Sequence, residues 1–552
     1  MPRAVPKGGE DRVTAGNQDT TPRRPQLLLL GIDGATWDVM DPLLQAGELP
    51  NIAAVVQSGL RHPLRSTNPP FSPCAWGSLM TGVNPGRHGI IGWYDLVTRV
   101  PFSARDLRSP AIWDLVSRAG LSVGVLNIPT TWPASAVNGF MVSGEIGTID
   151  YDERMFYPRE LFEEARREVP DYPLCGSESE SRYYGWARLR DNAASRLTLA
   201  SHLLRNHPVD VFVSNVNYVD LAQHKHFGTW GQGEDQDVVS WAYHAADHFV
   251  GSIREVAGAD VPVNLVSDHG GGPIEGYLNV PALLRDLGLL KMRRSTLSRR
   301  VIWPLRRIAQ ALLRRSSLLK RTRVLEGVRR KLSGHAFDWV NTIAYMIPAS
   351  GGVALNTEGR TPRAAVALED RGRVAELVAA AIRGTVNPIT GERDIEAVLT
   401  DDVYEGPWTS SAPEVLLTPR NYTYCVVNAG PDKPEAFMTP EQLTQRYPEH
   451  DMWQGIHRAD GIFVASGPGV ESADVGRQAD VMDVTPTALA MLGIEAPEGT
   501  FDGQPLVRTQ SPTRVQLTGD DLGAATGADG RPDYSEDEVA QVRQRLRDLG
   551  YL

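Results

Sequence analysis

Cysteine is almost missing from this 552-residue chain, which has only Cys74, Cys175 and Cys425. Their odd number and wide spacing, with no C-x-x-C pair, exclude a disulfide-stapled scaffold and a zinc ribbon and point to a reducing compartment. Long apolar runs are also lacking. The run L-L-L-L-G-I at 27–32 is too short for a signal-peptide core or a membrane span, so it reads as a buried strand and the protein as cytoplasmic. Nor is there an overall positive charge: Lys and Arg number 56 against 67 Asp and Glu, a net charge of -11. Attraction to nucleic acid or to an anionic membrane would therefore need a local patch. Residues 1–24 hold almost no large apolar side chain, cannot repay the entropy of ordering, and are expected to be disordered.

What is present is the composition of an ordinary soluble protein, 41% hydrophobic and 22% charged, long enough for one large domain with insertions or for two domains. Short apolar runs recur at Leu27–Ile32, Leu121–Leu126, Val209–Val213, Val263–Val266 and Gly461–Ala465, separated by amphipathic stretches such as Ile112–Ala119 and Val238–Val256. That alternation predicts an α/β sandwich, with parallel strands buried on both faces by crossover helices. Several runs end in polar clusters, G-I-D-G, S-N-V-N-Y-V-D and V-S-D-H-G, where ligands collect in such sheets.

One stretch breaks the pattern. Lys291–Lys331 carries fifteen Lys and Arg against the single acid Glu326, a local excess of about fourteen positive charges. It reads as a basic helical insertion over 291–335 between the first core part, 25–290, and the second, 336–510, which includes a cap. A linker and a C-terminal helix, capped by Ser535, follow over 511–552. The insertion is either a solvated lid or, through its interleaved apolar residues, a surface for an anionic membrane or an anionic substrate. Its single Trp303 speaks against single-stranded nucleic acid held by stacking, and no specific nucleic acid is expected. Oligomeric state is not legible.

Residues 71–89 read F-S-P-C-A-W-G-S-L-M-T-G-V-N-P-G-R-H-G. Ser72 before Pro73 fits a helix N-cap followed by the first helical position. A helix starting there would aim free N–H groups at the Ser72 hydroxyl, so Ser72 is either a simple cap or a nucleophile whose negative charge the helix end stabilises. Carboxylates and imidazoles accompany it: Asp33 closes the first run, Asp220 and His224 lie four apart, Asp268 and His269 are adjacent, and His457 sits in G-I-H-R-A-D-G. This donor mixture suits zinc, and two neighbouring zinc ions can clamp both oxygens of a phosphoryl transfer.

In order, Asp33, the Ser72 phrase, D-x-x-x-H, S-D-H-G-G, a late G-x-H, V-M-D-V-T-P-T-A-L-A-M-L-G-I and F-D-G-Q-P-L resemble the alkaline phosphatase superfamily in its nucleotide pyrophosphatase/phosphodiesterase branch. The bacterial predicted phosphohydrolases and phosphomutases are the nearest in kind. The resemblance spans most of 26–508 and implies an alkaline-phosphatase-like sandwich that hydrolyses phosphodiester or pyrophosphate bonds of a small phosphorylated substrate. It implies two Zn2+ ions, with other divalent metals such as Mn2+ as alternatives. Asp220, His224 and His457 match the ligands of one metal, and Asp33, Asp268 and His269 those of the other, with Ser72 beside the second as the nucleophile that becomes a phosphoserine.

Two departures bear on this. Animal members of the branch carry an asparagine three residues after the nucleophile that binds phosphate oxygen. Ala75 stands here, leaving Asn215, Asn217 and Lys225 as substrate-binding candidates. The sulfatase pattern C-x-P-x-R is not met after Cys74, which reads as a small buried residue. His88 is expected to pack or cap a turn, His226 to touch substrate or merely cover the site, and Thr131 to line the pocket at most. A phosphomonoesterase or phosphomutase is the competing enzyme reading. A non-catalytic protein that binds anionic surfaces through this scaffold is the remaining one, against which all six ligand positions and the nucleophile are present.

Overall fold

A computed structural model describes residues 24–96, 100–144, 148, 150–174, 185–232, 237–293, 337–347, 350–361, 363–428, 435–446, 453–509, 513–523 and 534–548. Nearly all of the expected basic insertion and the expected disordered leader up to residue 23 lie outside them.

The expected α/β sandwich is the observed architecture. An eight-stranded sheet is built from β1 (Leu27–Ile32), β2 (Gly59–Arg65), β3 (Val123–Leu126), β4 (Gly139–Val142), β5 (Phe156–Tyr157), β6 (Val211–Val216), β7 (Val263–Val266) and β8 (Asp460–Ser466). Their order across the sheet is β2-β8-β7-β1-β6-β3-β4-β5. Strand β1 lies at the centre, parallel to β6 and β7, and every one of its residues is buried, as four consecutive leucines require. Alternate β1 residues feed two cores. Leu28, Leu30 and Ile32 join one face and Leu27 and Leu29 the other.

Strand β8, expected to be parallel, runs antiparallel to both β7 and β2. It follows directly on a strand, Gly455–Arg458, that pairs antiparallel with Gly270–Pro273, so the chain re-enters the sheet from the edge where the parallel strands end. Strand β2, G-L-R-H-P-L-R, gave no apolar run because it is an edge strand; Pro63 and its arginines suit that place.

On one face lie α1 (Ser72–Thr81) and α5 (Val484–Leu492); on the other lie α2 (Trp186–Asn206), α3 (Tyr218–His226) and α4 (Val238–Ala257). A four-stranded antiparallel sheet from 344–419 and the helix Arg371–Arg383 form a smaller layer. Two tyrosines at its margin, Tyr404 and Tyr422, donate to the backbone and side-chain oxygens of Asn68 at 2.7 and 2.6 Å, fixing the approach to α1. The C-terminal helix α6 (Glu536–Asp548) is capped by Ser535 as expected. It docks through Tyr534, which stacks on Trp132 at 4.8 Å, and through Glu538 on Arg154. Among the described residues, no helix is long and apolar enough to cross a membrane.

Candidate two-metal active site

The carboxyl ends of the parallel strands gather the expected residues. Asp33 follows β1, and Asp268 and His269 follow β7. Asp220 and His224 ride on α3 after β6, and His457 enters on the strand that leads into β8. Gly34 makes the turn after Asp33 with φ +72, and a Cβ there would lie 3.0 Å from that of Asp220, so glycine meets both the backbone and the packing.

The seven residues divide into two sets of three donors plus Ser72. Asp220, His224 and His457 form one set and Asp33, Asp268 and His269 the other, each with its donor atoms within 4.8 Å of one another. In the first set His224 Nε2 lies 3.1 Å from His457 Nε2, and Asp220 Oδ1 lies 3.3 and 3.5 Å from those nitrogens. In the second, His269 Nε2 lies 3.2 Å from Asp268 Oδ2 and 3.8 Å from Asp33 Oδ1. The His269 and His457 rings stack at 3.6 Å, so the two sets share a wall.

Tautomers follow from the backbone. Nδ1–H of His224 donates to Gly455 O at 3.0 Å, that of His457 to Pro70 O at 2.6 Å, and that of His269 to Gly270 O at 3.0 Å. Every imidazole therefore turns an unprotonated Nε2 inward, the arrangement that second-sphere carbonyls impose on metal-bound histidine. Burial pulls His269 down to about 3 and His457 well below its ordinary value, which favours the neutral form of both.

The donor set fits divalent metal. His224 and His457 face each other lone pair to lone pair at 3.1 Å, a repulsive contact unless a cation lies between them. The three edges of the first set, 3.1, 3.3 and 3.5 Å, bracket the roughly 3.3 Å separation that ligand bonds of about 2.0–2.1 Å give in a tetrahedron. In the second set Asp33 Oδ1 and Asp268 Oδ2 are buried with no hydrogen-bond partner among the described residues. Burial raises both carboxyls, Asp33 to about 7 and Asp268 well above its usual range, and the neighbouring aspartates add to this. Positive charge at the site would relieve that cost.

Ser72 is the first residue of α1; Phe71 takes the cap position in an extended conformation, and Pro73 falls at the second helical position. The hydroxyl makes no cap bond. It is buried and donates instead to His269 Nε2 at 3.1 Å, which places it at the second set. The cap position expected of Ser72 thus belongs to Phe71, and the Ser72 hydroxyl is directed at the second donor set.

Other expected residues fall as follows. Asn215 donates its amide to Asp33 Oδ2 at 3.1 Å. Asn217, at the start of α3, accepts from Asn192 of α2 at 3.4 Å. Lys225 is buried on α3 beside His224, and His226 is half-buried at its end. His88 is fully buried between Ser78 Oγ at 3.0 Å and the Ile90 N–H at 3.2 Å, and burial lowers it to about 3, as a neutral turn-packing residue requires. Thr131 bonds backbone at Ile128 and Gly144.

Cys74 is fully buried and burial pushes its thiol far above the ordinary range. A Cys74→Ala variant is therefore expected to keep turnover within about threefold of wild type while losing stability of order 1 kcal/mol; steady-state rates and thermal melts check this.

Sequence reasoning missed three groups. Trp76 donates its indole N–H to Asp33 Oδ2 at 3.0 Å, and Gln223 donates to Gly34 O at 2.8 Å. The ring of Trp453 packs on His224 at 3.9 Å. For Trp76 the signal was its spacing, one helical turn after Ser72 and so on the same face.

The family described as type I phosphodiesterase / nucleotide pyrophosphatase matches residues 27–446. The chain belongs to that family. It is accordingly a phosphoric ester hydrolase of the phosphoryl-transfer type, with metal-dependent chemistry for which the two donor sets are the candidate sites. The match stops short of His457, the late histidine that the fold brings back to the first donor set. No curated protein matches the chain. Similar solved structures include phosphonoacetate hydrolase from Sinorhizobium meliloti 1021 in complex with phosphonoformate, 14% identical, covering 85% of this chain and 95% of that one, TM-score 0.49. The same enzyme in complex with phosphonoacetate has the same identity and coverage and a TM-score of 0.47.

Proposed function

We propose that this chain hydrolyses phosphodiester or pyrophosphate bonds of a small phosphorylated substrate by way of a phosphoserine on Ser72, with two zinc ions in the paired donor sets. The observation that carries the reading is the contact of His224 and His457 through unprotonated nitrogens at 3.1 Å beside a parallel arrangement that ends on the Ser72 hydroxyl. When bound, the ions supply the positive charge that favours the Ser72 alkoxide and offsets charge on the phosphoryl and leaving oxygens.

The chain's own groups do the rest. Ser72 gives up its hydroxyl proton to solvent, Oγ forms a bond to phosphorus as the bond to the leaving oxygen breaks, and that oxygen leaves with a proton from solvent. The first turn of α1 directs its free N–H groups and dipole at the transferred group. Water then attacks the same phosphorus, releasing the phosphorylated product and restoring the Ser72 hydroxyl. Ala75 brings no side-chain donor to the phosphoryl oxygens, so the helix end carries more of that task, and Lys225 is the remaining cationic candidate beside His224.

Purified protein assayed against phosphodiesters, nucleoside diphosphate conjugates, phosphomonoesters and sulfate esters tests this. The expected result is a kcat/KM for diesters or pyrophosphates at least about tenfold above that for monoesters, with no sulfatase activity. A preference for monoesters would move the reading to a phosphomonoesterase or phosphomutase.

A further inference from the structure

We propose that Trp76 and Asn215 act together as positioning residues that make Asp33 a one-oxygen ligand and tie it to the nucleophile helix. This inference rests on the two-metal reading above.

Both donors converge on one atom. The Trp76 indole N–H reaches Asp33 Oδ2 at 3.0 Å and the Asn215 amide reaches the same oxygen at 3.1 Å. The other oxygen, Oδ1, is buried and receives nothing from the described residues. It lies 3.8 Å from His269 Nε2, on the side of the second donor set. An oxygen that already accepts two hydrogen bonds has little left for a cation, so Oδ1 is the ligand atom and two-oxygen binding is suppressed.

The supports come from different elements on the same face of the sheet. Asn215 belongs to β6, where it pairs in register with Gly31 of β1, two residues before Asp33. Its backbone carbonyl in turn receives the Asn127 amide at 3.0 Å. Trp76 belongs to α1, one turn after Ser72, and its ring lies over Gly31 so closely that a Cβ there would meet Cη2 at 2.4 Å. The ring is 1% exposed and has no room to turn away. One rigid side chain therefore links the helix that bears the nucleophile to a ligand of the neighbouring metal, and fixes the distance between them. Asn215 gives one of its two amide hydrogens to Asp33 Oδ2.

The test uses the full chain, stripped with a chelator and titrated with Zn2+ against a competing indicator. Wild type is expected to bind two ions. Trp76→Phe, which deletes the N–H, and Asn215→Leu, which deletes the donor at similar volume, are each expected to raise the dissociation constant of one ion by about tenfold or more and to leave the other unchanged. Turnover should recover largely at saturating zinc, with substrate KM unchanged. With Co2+ in place of zinc, the visible absorption should weaken in both variants as Asp33 binds through both oxygens and the coordination number rises. Trp132→Phe, an equally buried tryptophan outside the site, should change neither constant. Unaltered zinc affinity in both variants beside a wild type that binds two ions overturns the inference, and so does an equal loss in Trp132→Phe, which would mark general loosening. A wild type that binds no zinc overturns the two-metal reading itself, and this inference with it.

Discussion

Replacing Ser72 with alanine is expected to lower turnover by about 10⁴-fold or more, because it removes the atom that forms the covalent bond. The same change should cost little stability. Among the described residues Ser72 makes no cap bond and its one side-chain partner is His269, so the loss is about 1 kcal/mol, a shift of only a few degrees in the melting temperature. Steady-state kinetics and calorimetry on the same preparation separate the two effects. Activity within tenfold of wild type would contradict the nucleophile assignment.

The second large effect is on metal. Two ions per chain are expected, and His457→Ala should reduce the count toward one and turnover by about 10³-fold or more, since it opens the set of His224 and Asp220 and leaves the charge of Asp220 buried and unpaired. Elemental analysis and chelator inhibition check both numbers. The pH dependence has a defined sign. In the metal-free protein Asp33 rises to about 7 from its ordinary 3.8. The folded state then holds a proton that the unfolded state releases, and this group's stabilisation is present below about pH 4 and fades as pH climbs to about 7. Metal needs the ionised carboxylate, so the rise in melting temperature on adding zinc should be larger at pH 8 than at pH 5.5. A metal-independent melting temperature at both pH values would contradict the site.

How much of this was legible in the sequence can be read element by element. Strand β1 announced itself because four leucines in a row can only be central, and β7 because a short valine-rich run ends in S-D-H. All six candidate donors could be named because their phrases, in order, carry the family resemblance: Asp33, Asp268 and His269 at strand ends, Asp220 and His224 on the helix after β6, and His457 on the strand that leads into β8. Strand β2 stayed hidden because an edge strand needs no apolar run, and the direction of β8 because period and composition are the same for parallel and antiparallel strands. Ser72 was ambiguous between cap and nucleophile because both suit a serine before proline; the structure gives the cap position to Phe71 and turns the hydroxyl to His269. The groups that set the histidine tautomers, the carbonyls of Pro70, Gly270 and Gly455, could not be read at all, since a backbone carbonyl has no side-chain identity to recognise. Trp76 looked like an ordinary apolar residue, and its function lies in one N–H whose direction only the packing over Gly31 reveals.

The covalent step itself is tested most directly by the stereochemical course at phosphorus. A diester with a sulfur-substituted phosphorus of known configuration, hydrolysed in ¹⁸O-labelled water, gives a chiral phosphorothioate product. Attack by Ser72 followed by attack of water makes two in-line displacements, each of which inverts, so the account predicts net retention of configuration. Net inversion would show that water attacks the substrate directly and would contradict the phosphoserine.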